Sequence, residues 1–145
     1  MKLRVAWIGK TKEQPIQALT AEYLKRLARY APTEALELSN EEALLKHLDR
    51  RRSRPTLVAL DSRGEQLSSE ELAEFLERHQ KRGTQMLMFA VGPADGFSEV
   101  VWKRADFFLS LGKMTLPHEL ARVVLLEQLY RAFTILKGHP YHLGH

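Results

Sequence analysis

Every residue of Met86-Leu87-Met88-Phe89-Ala90-Val91 is apolar, and the run stops at Gly92-Pro93-Ala94-Asp95-Gly96. A strand that is apolar on both faces has to be covered on both, as in a parallel sheet flanked by helices. A second run, Phe107-Phe108-Leu109-Ser110-Leu111, opens onto Gly112-Lys113-Met114-Thr115-Leu116-Pro117-His118. Read as loops leaving neighbouring parallel strands, the two segments fall at the carboxyl ends of the sheet. Open α/β sheets bind their ligands there.

The rest of the chain fits the same architecture. Leu3 to Ile8 reads as a first strand, followed by a helix from Pro15 to about Tyr30 with Ile16, Leu19, Tyr23, Leu24 and Leu27 at helical spacing. Ala35 to Leu38 is a short strand, and Asn40 caps a helix bearing Leu44, Leu45 and Leu48. Thr56 to Leu60 is a third strand, ended by an expected turn at Asp61-Ser62-Arg63-Gly64. Ser68 and Glu71 form a capping box for a helix that runs to Gly83. Gln85 to Val91 is the fourth strand, Glu99 to Arg104 a short helix, Phe107 to Leu111 the fifth strand, and Glu119 to Lys137 the final helix. The order βαβαβαβαβα predicts an α/β fold, a mostly parallel sheet with helices on both faces.

With 145 residues, 44% of them hydrophobic and 28% charged, one domain with one core is expected. The absence of cysteine excludes a disulfide framework or a thiolate metal site. No apolar run reaches the roughly 20 residues a membrane span requires. The amino terminus reads as a strand with no small-residue cleavage site, so the expected location is cytoplasmic. A net charge of +4 tilts the choice of partner toward a polyanion such as nucleic acid. The basic residues group at Lys25-Arg26-Arg29, Arg50-Arg51-Arg52-Arg54 and Lys81-Arg82, each near a predicted helix end, where cations also complement the helix dipole.

Familiar chemistries fail on spacing. Gly9-Lys10-Thr11 has Arg4 where a P-loop needs its first glycine, and a lone Gly9 is no dinucleotide fingerprint. There is no G-x-S-x-G elbow. No two of the six histidines are spaced as a helical H-x-x-x-H pair, so no metal site is expected. The loops at 92–96 and 112–117 survive. Gly92 and Gly96 allow a close backbone approach, while Met114 and Leu116 can pack on a flat ring beside open main-chain groups. An adenosine-like ligand fits that description.

The segment from Phe89 to His142 resembles the RlmH family of the SPOUT methyltransferase superfamily. The likeness lies in the glycine loop, in Lys113-Met114-Thr115-Leu116-Pro117-His118, in the helix Arg122-Val123-Val124-Leu125-Leu126-Glu127-Gln128-Leu129-Tyr130-Arg131-Ala132, and in the Pro140-Tyr141-His142 tail. Leu60-Asp61-Ser62-Arg63-Gly64 extends it upstream. The resemblance implies a trefoil-knotted homodimer that uses S-adenosylmethionine. It implies methylation of N3 of a pseudouridine in helix 69 of 23S ribosomal RNA, on assembled ribosomes.

On the matching positions, the donor site comprises Leu60, Gly92, Gly96, Leu111, Gly112, Lys113, Met114, Thr115 and Leu116. The resemblance places His142 as base, Tyr141 against the nucleotide, Arg131 on a phosphate or developing anion, and His118 at the loop. Pro93 and Gly112 depart from the family's glycine and serine. The bland readings are an Arg131 ion pair with Glu127 one helical turn away, and core or dimer contacts for Tyr130 and Phe133. The competing functions are a transfer RNA methyltransferase of the same superfamily and a non-catalytic RNA-binding factor.

Overall fold

The computed structural model describes residues 1–49 and 54–143, with the side chains of His142 and Leu143 outside the described set. The basic stretch Arg50-Arg51-Arg52 therefore lies outside the described residues. Five strands, β1 (Lys2–Ile8), β2 (Thr33–Leu38), β3 (Thr56–Gln66), β4 (Met86–Val91) and β5 (Phe107–Ser110), form one sheet in the order β2-β1-β4-β3-β5. All four pairings are parallel.

The helices are α1 (Gln14–Leu27), α2 (Glu41–Leu48), α3 (Ser69–Arg82), α4 (Glu99–Arg104) and α5 (His118–Leu136), followed by a short 3₁₀ turn at Pro140–Leu143. Alternation along the strands divides the core in two. Leu3, Val5, Leu87, Phe89 and Val58 pack with residues of α1, α3 and α5, whereas Ala6, Met88, Ala90 and Leu57 pack with residues of α2 and α4. Helices therefore cover both faces, as the strand pattern predicts.

Local signals set several boundaries. Asn40 accepts a hydrogen bond from the Ala43 amide at 2.9 Å and starts α2. Ser68 and Glu71 complete a reciprocal capping box, and Gly83 ends α3 in a left-handed conformation. Both are the expected devices.

Two expectations need correction. The strands β4 and β5 are not neighbours, because β3 lies between them. The turn expected at Asp61-Ser62-Arg63-Gly64 is an outward bulge within a longer strand. Leu60 and Glu65 both align with Leu109, so the residues between them leave the ladder before β3 resumes. Gly64 makes this possible, since a Cβ there would sit 2.7 Å from the Phe108 carbonyl carbon and oxygen.

Helix α5 is apolar around most of its circumference, which suits a helix packed on several sides. Leu125, Leu126, Leu129 and Ala132 are completely buried, and the helix packs against α1 and α3. From the edge strand β5, residues 112–117 thus carry the chain back toward the middle of the sheet.

Candidate functional site

The bulge of β3, the loop after β4 and the loop after β5 enclose a cavity of about 540 Å³ at the carboxyl end of the sheet. Its apolar lining comes from Leu60, Leu109, Leu111, Met114 and Leu116, and Asp61 contributes a carboxylate. The predicted Gly96, Gly112 and Thr115 line it as well. Gly92 faces an adjoining recess of about 510 Å³ that shares Pro93, Ala94, Thr115 and Leu116 and also includes His118. Of the nine donor-site residues expected, Lys113 alone lines neither space.

Backbone geometry dominates here. Gly112 has φ +140°, a conformation reserved for glycine. Its amide donates to the Ser110 hydroxyl at 3.1 Å, and that hydroxyl donates to the Gly112 carbonyl at 3.0 Å. The departure to glycine thus suits the turn, and Ser110 supplies a hydroxyl from two residues earlier. In the other loop the Gly96 amide donates to the Pro93 carbonyl at 2.9 Å, closing a tight turn in which proline needs no amide hydrogen.

The wall made by Asp61, Ser62 and Arg63 is not foreseeable from local sequence. Asp61 accepts from the Arg63 amide at 2.8 Å and from its Nε at 3.0 Å. The Arg63 side chain holds the Asp61 carboxyl below the usual carboxylate range. Arg63 lies 4.3 Å over the Trp102 ring, which stacks on Phe108 at 3.8 Å. The one available signal is the short aspartate-arginine spacing, and by itself it predicts an ordinary turn.

A second feature has no signal in the sequence at all. Arg122 of α5 is completely buried. Its guanidinium donates to the Ile8 carbonyl at 3.0 Å and to the Thr11 hydroxyl at 2.8 Å. Burial lowers its pKa, opposed by the Glu119 and Glu37 carboxylates. Glu119 in turn accepts from the amides of Lys12 and Glu13 at 3.0 and 3.1 Å. These bonds fasten the start of α5, and with it the loop at 112–117, to the segment after β1.

The other predicted residues gather elsewhere. Arg131 donates through Nε to Glu127 at 2.9 Å and lies 5.0 Å over the Tyr141 ring. The Tyr141 hydroxyl is 3.4 Å from both Glu127 and the Tyr23 hydroxyl. Burial, the Tyr23 contact and the Glu127 charge raise the Tyr141 pKa. The Arg131–Glu127 ion pair exists as the bland reading has it.

His118 and Arg131 stand 13 residues apart on α5, so about 20 Å separates them along the helix. His118 lines the recess beside the cavity, whereas neither Arg131 nor Tyr141 lines either space. The expected role of His142 rests on a side chain outside the described residues.

The cavity suits S-adenosylmethionine. Its volume is that of a small-molecule site, its apolar walls suit an adenine ring, and loop backbone supplies polar edges. Among the described residues no group of histidines and carboxylates is arranged to hold a metal ion. No described helix is long and apolar enough to cross a membrane.

Comparison with known proteins gives a consistent picture. A family model described as "Predicted SPOUT methyltransferase" matches residues 1–142. The ribosomal RNA large subunit methyltransferase H of Koribacter versatilis (strain Ellin345) is 65% identical over 146 residues, with all of both chains covered. The protein of the same name from Geobacter sp. (strain M21) is 43% identical, covering 98% of this chain and 99% of its own. Among solved structures, the SpoU methyltransferase AviRb from Streptomyces viridochromogenes, in complex with the cofactor AdoMet, superposes with a TM-score of 0.52 at 13% identity. That match covers 96% of this chain and 58% of AviRb, and it shows a shared fold.

Proposed function

The chain belongs to the SPOUT methyltransferase family, and we propose that it methylates N3 of a pseudouridine in helix 69 of 23S ribosomal RNA. In this reading it acts as a homodimer on assembled ribosomes, with S-adenosylmethionine as methyl donor. The observation that carries the proposal is the pairing of a built donor cavity with full-length, 65% identity to a large-subunit ribosomal RNA methyltransferase. The route of residues 112–117 from an edge strand to a central helix supports the knotted topology that the resemblance implies.

Bound in the cavity, the donor supplies a methyl group on a positively charged sulfur, open to in-line attack. The protein's work is then to align and desolvate. Leu60, Leu109, Leu111 and Leu116 line the cavity and would keep water from the reacting atoms, while the glycine loops would hold the donor through their backbone. His118, the first residue of α5, lines the recess beside the loop.

The attacking nitrogen must lose a proton, so a base and a stabiliser of the resulting anion are needed. His142 takes the proton in this scheme, and Arg131 faces the anion with its guanidinium oriented by Glu127. Tyr141 packs against the nucleotide. About 20 Å of helix separates Arg131 from the start of α5, which supports a reading in which a second subunit brings its own Arg131 and Tyr141 to the cavity.

The test is transfer from labelled S-adenosylmethionine to ribosomes that carry the unmethylated pseudouridine, with transfer RNA as the comparison. Label recovered as N3-methylpseudouridine in 23S RNA is the expected result. Label in transfer RNA alone, or no transfer, would overturn it.

A further inference from the structure

Next to the donor cavity lies a groove of about 470 Å³ that the methyl-transfer scheme does not use. Arg63, Phe97, Glu99, Trp102 and Lys103 line it. Arg63 and Phe97 line the donor cavity as well, so the two spaces adjoin. Gly92 lets Phe97 pack there, since a Cβ on Gly92 would lie 3.2 Å from the Phe97 ring.

The groove is walled by flat groups already in contact. Trp102 stacks on Phe108 at a centroid distance of 3.8 Å and an angle of 23°. The Arg63 guanidinium lies 4.3 Å from the centre of the Trp102 ring. Asp61 holds that guanidinium at two points, through Nε at 3.0 Å and Nη2 at 3.2 Å, which fixes its plane. Even so, the Arg63 side chain is 69% exposed. An arginine plane and an aromatic ring offered together are a surface on which proteins stack an unpaired nucleobase.

Charge favours a ring over a phosphate. Asp61 already pairs with Arg63, and Lys103 and Glu99 carry opposite charges on the groove wall. No surplus charge is left to draw a phosphate or an acidic group.

We infer that this groove receives an unpaired base adjoining the target nucleotide in the RNA substrate, stacked against Arg63 and Trp102. The inference rests on the RNA-methyltransferase reading and deepens it, adding a subsite outside the donor cavity. The target base has to approach that cavity, and the shared Arg63 and Phe97 put the groove beside its path. A neighbour seated here keeps the strand unstacked next to the nucleotide being methylated.

The test is a double-mutant cycle on a helix 69 RNA hairpin. Trp102→Leu is paired with hairpins made abasic at single unpaired positions flanking the target. On one of these hairpins, wild-type affinity should fall about tenfold, the scale of one base stacked on an aromatic residue. Trp102→Leu should weaken the intact hairpin by a similar factor and lose nothing further on that abasic one. Calorimetric affinity for S-adenosylmethionine should stay at the wild-type value.

Because Trp102 packs on Phe108, a second measurement uses the wild-type chain alone. The intact hairpin should quench tryptophan fluorescence, and the same abasic hairpin should not. The other tryptophan of the chain, Trp7, is buried.

Losses that multiply at every abasic position, or an absence of quenching, while wild type binds and methylates the hairpin, would overturn this inference alone. A dimer that dissociates in Trp102→Leu would assign the groove to a protein contact and overturn it too. Failure of the wild type to bind any RNA would overturn both the inference and the function it rests on.

Discussion

The two ends of helix α5 are built on opposite plans. At its start, the cavity proposed for the donor is bounded by three loops, and it is shaped by backbone turns at residues 93–96 and 110–112. Further along, Arg131, Glu127, Tyr141 and Tyr23 form a side-chain network on a partly buried surface. A wall made of backbone depends on turn geometry, which Gly112 at φ +140° and Pro93 in the turn closed by Gly96 both satisfy. A site made of charged and aromatic side chains depends on their identity, and in the proposed reading it also depends on a second copy.

The largest expected effect separates the two ends directly. Leu111→Trp would fill the cavity, abolishing donor binding by calorimetry and methyl transfer together while leaving RNA affinity in place. Arg131→Gln should do the reverse. Donor affinity should stay at the wild-type value while kcat falls about 100-fold, the scale for removing one group that stabilises developing charge. Loss of donor affinity in Arg131→Gln would break the comparison.

Arg122→Met probes what fastens the donor end. The Ile8 carbonyl and the Thr11 hydroxyl would lose the donor that the buried Arg122 supplies, at a cost of about 3 kcal/mol, seen as a lower urea midpoint. Donor affinity should fall with it, because the loop at 112–117 loses its tie to the segment after β1.

A smaller effect concerns pH. His79 is buried, with Nδ1 bonded to the Thr84 hydroxyl at 2.8 Å. Burial, aided by Arg82 and Arg78 and opposed by Asp106, pushes its pKa below 6.5. The folded state therefore binds this proton less readily than the unfolded state does. The stabilisation is complete above pH 6.5 and is lost as pH falls through the lowered value. Urea midpoints between pH 7.5 and 5 should drop in the wild type and flatten in His79→Leu, with neither end of α5 altered.

Ser68→Ala should cost about 1 kcal/mol through loss of the capping box and should leave donor and RNA affinities untouched. A change in either affinity would mean that α3 communicates with the site.

The sequence is most informative where a local rule decides the structure. The capping box, the Asn40 cap, the apolar strands and the glycine loops each need only a few neighbouring residues, and each lies close to where it is expected. What stays hidden depends on contacts between distant segments. Asp61-Ser62-Arg63-Gly64 has turn chemistry, yet pairing of β3 with β5 on both sides makes it a bulge and a cavity wall. Arg122 looks like any surface arginine of a helix, because nothing nearby announces that Ile8 and Thr11 will accept its hydrogen bonds. The separation of Arg131 from the donor loop is countable from helix rise, but only once both ends of α5 have been located.

The most direct test of a site shared between subunits is complementation in mixed dimers. Leu111→Trp and Arg131→Gln chains, each inactive alone, would be unfolded, mixed in equal amounts, refolded, and assayed for methyl transfer. Each mixed dimer would join an intact cavity from one chain with an intact Arg131 from the other. Random pairing then predicts about a quarter of wild-type activity. A mixture as inactive as its parents, with mixed dimers shown to be present, would contradict the account and place the whole reaction within a single chain.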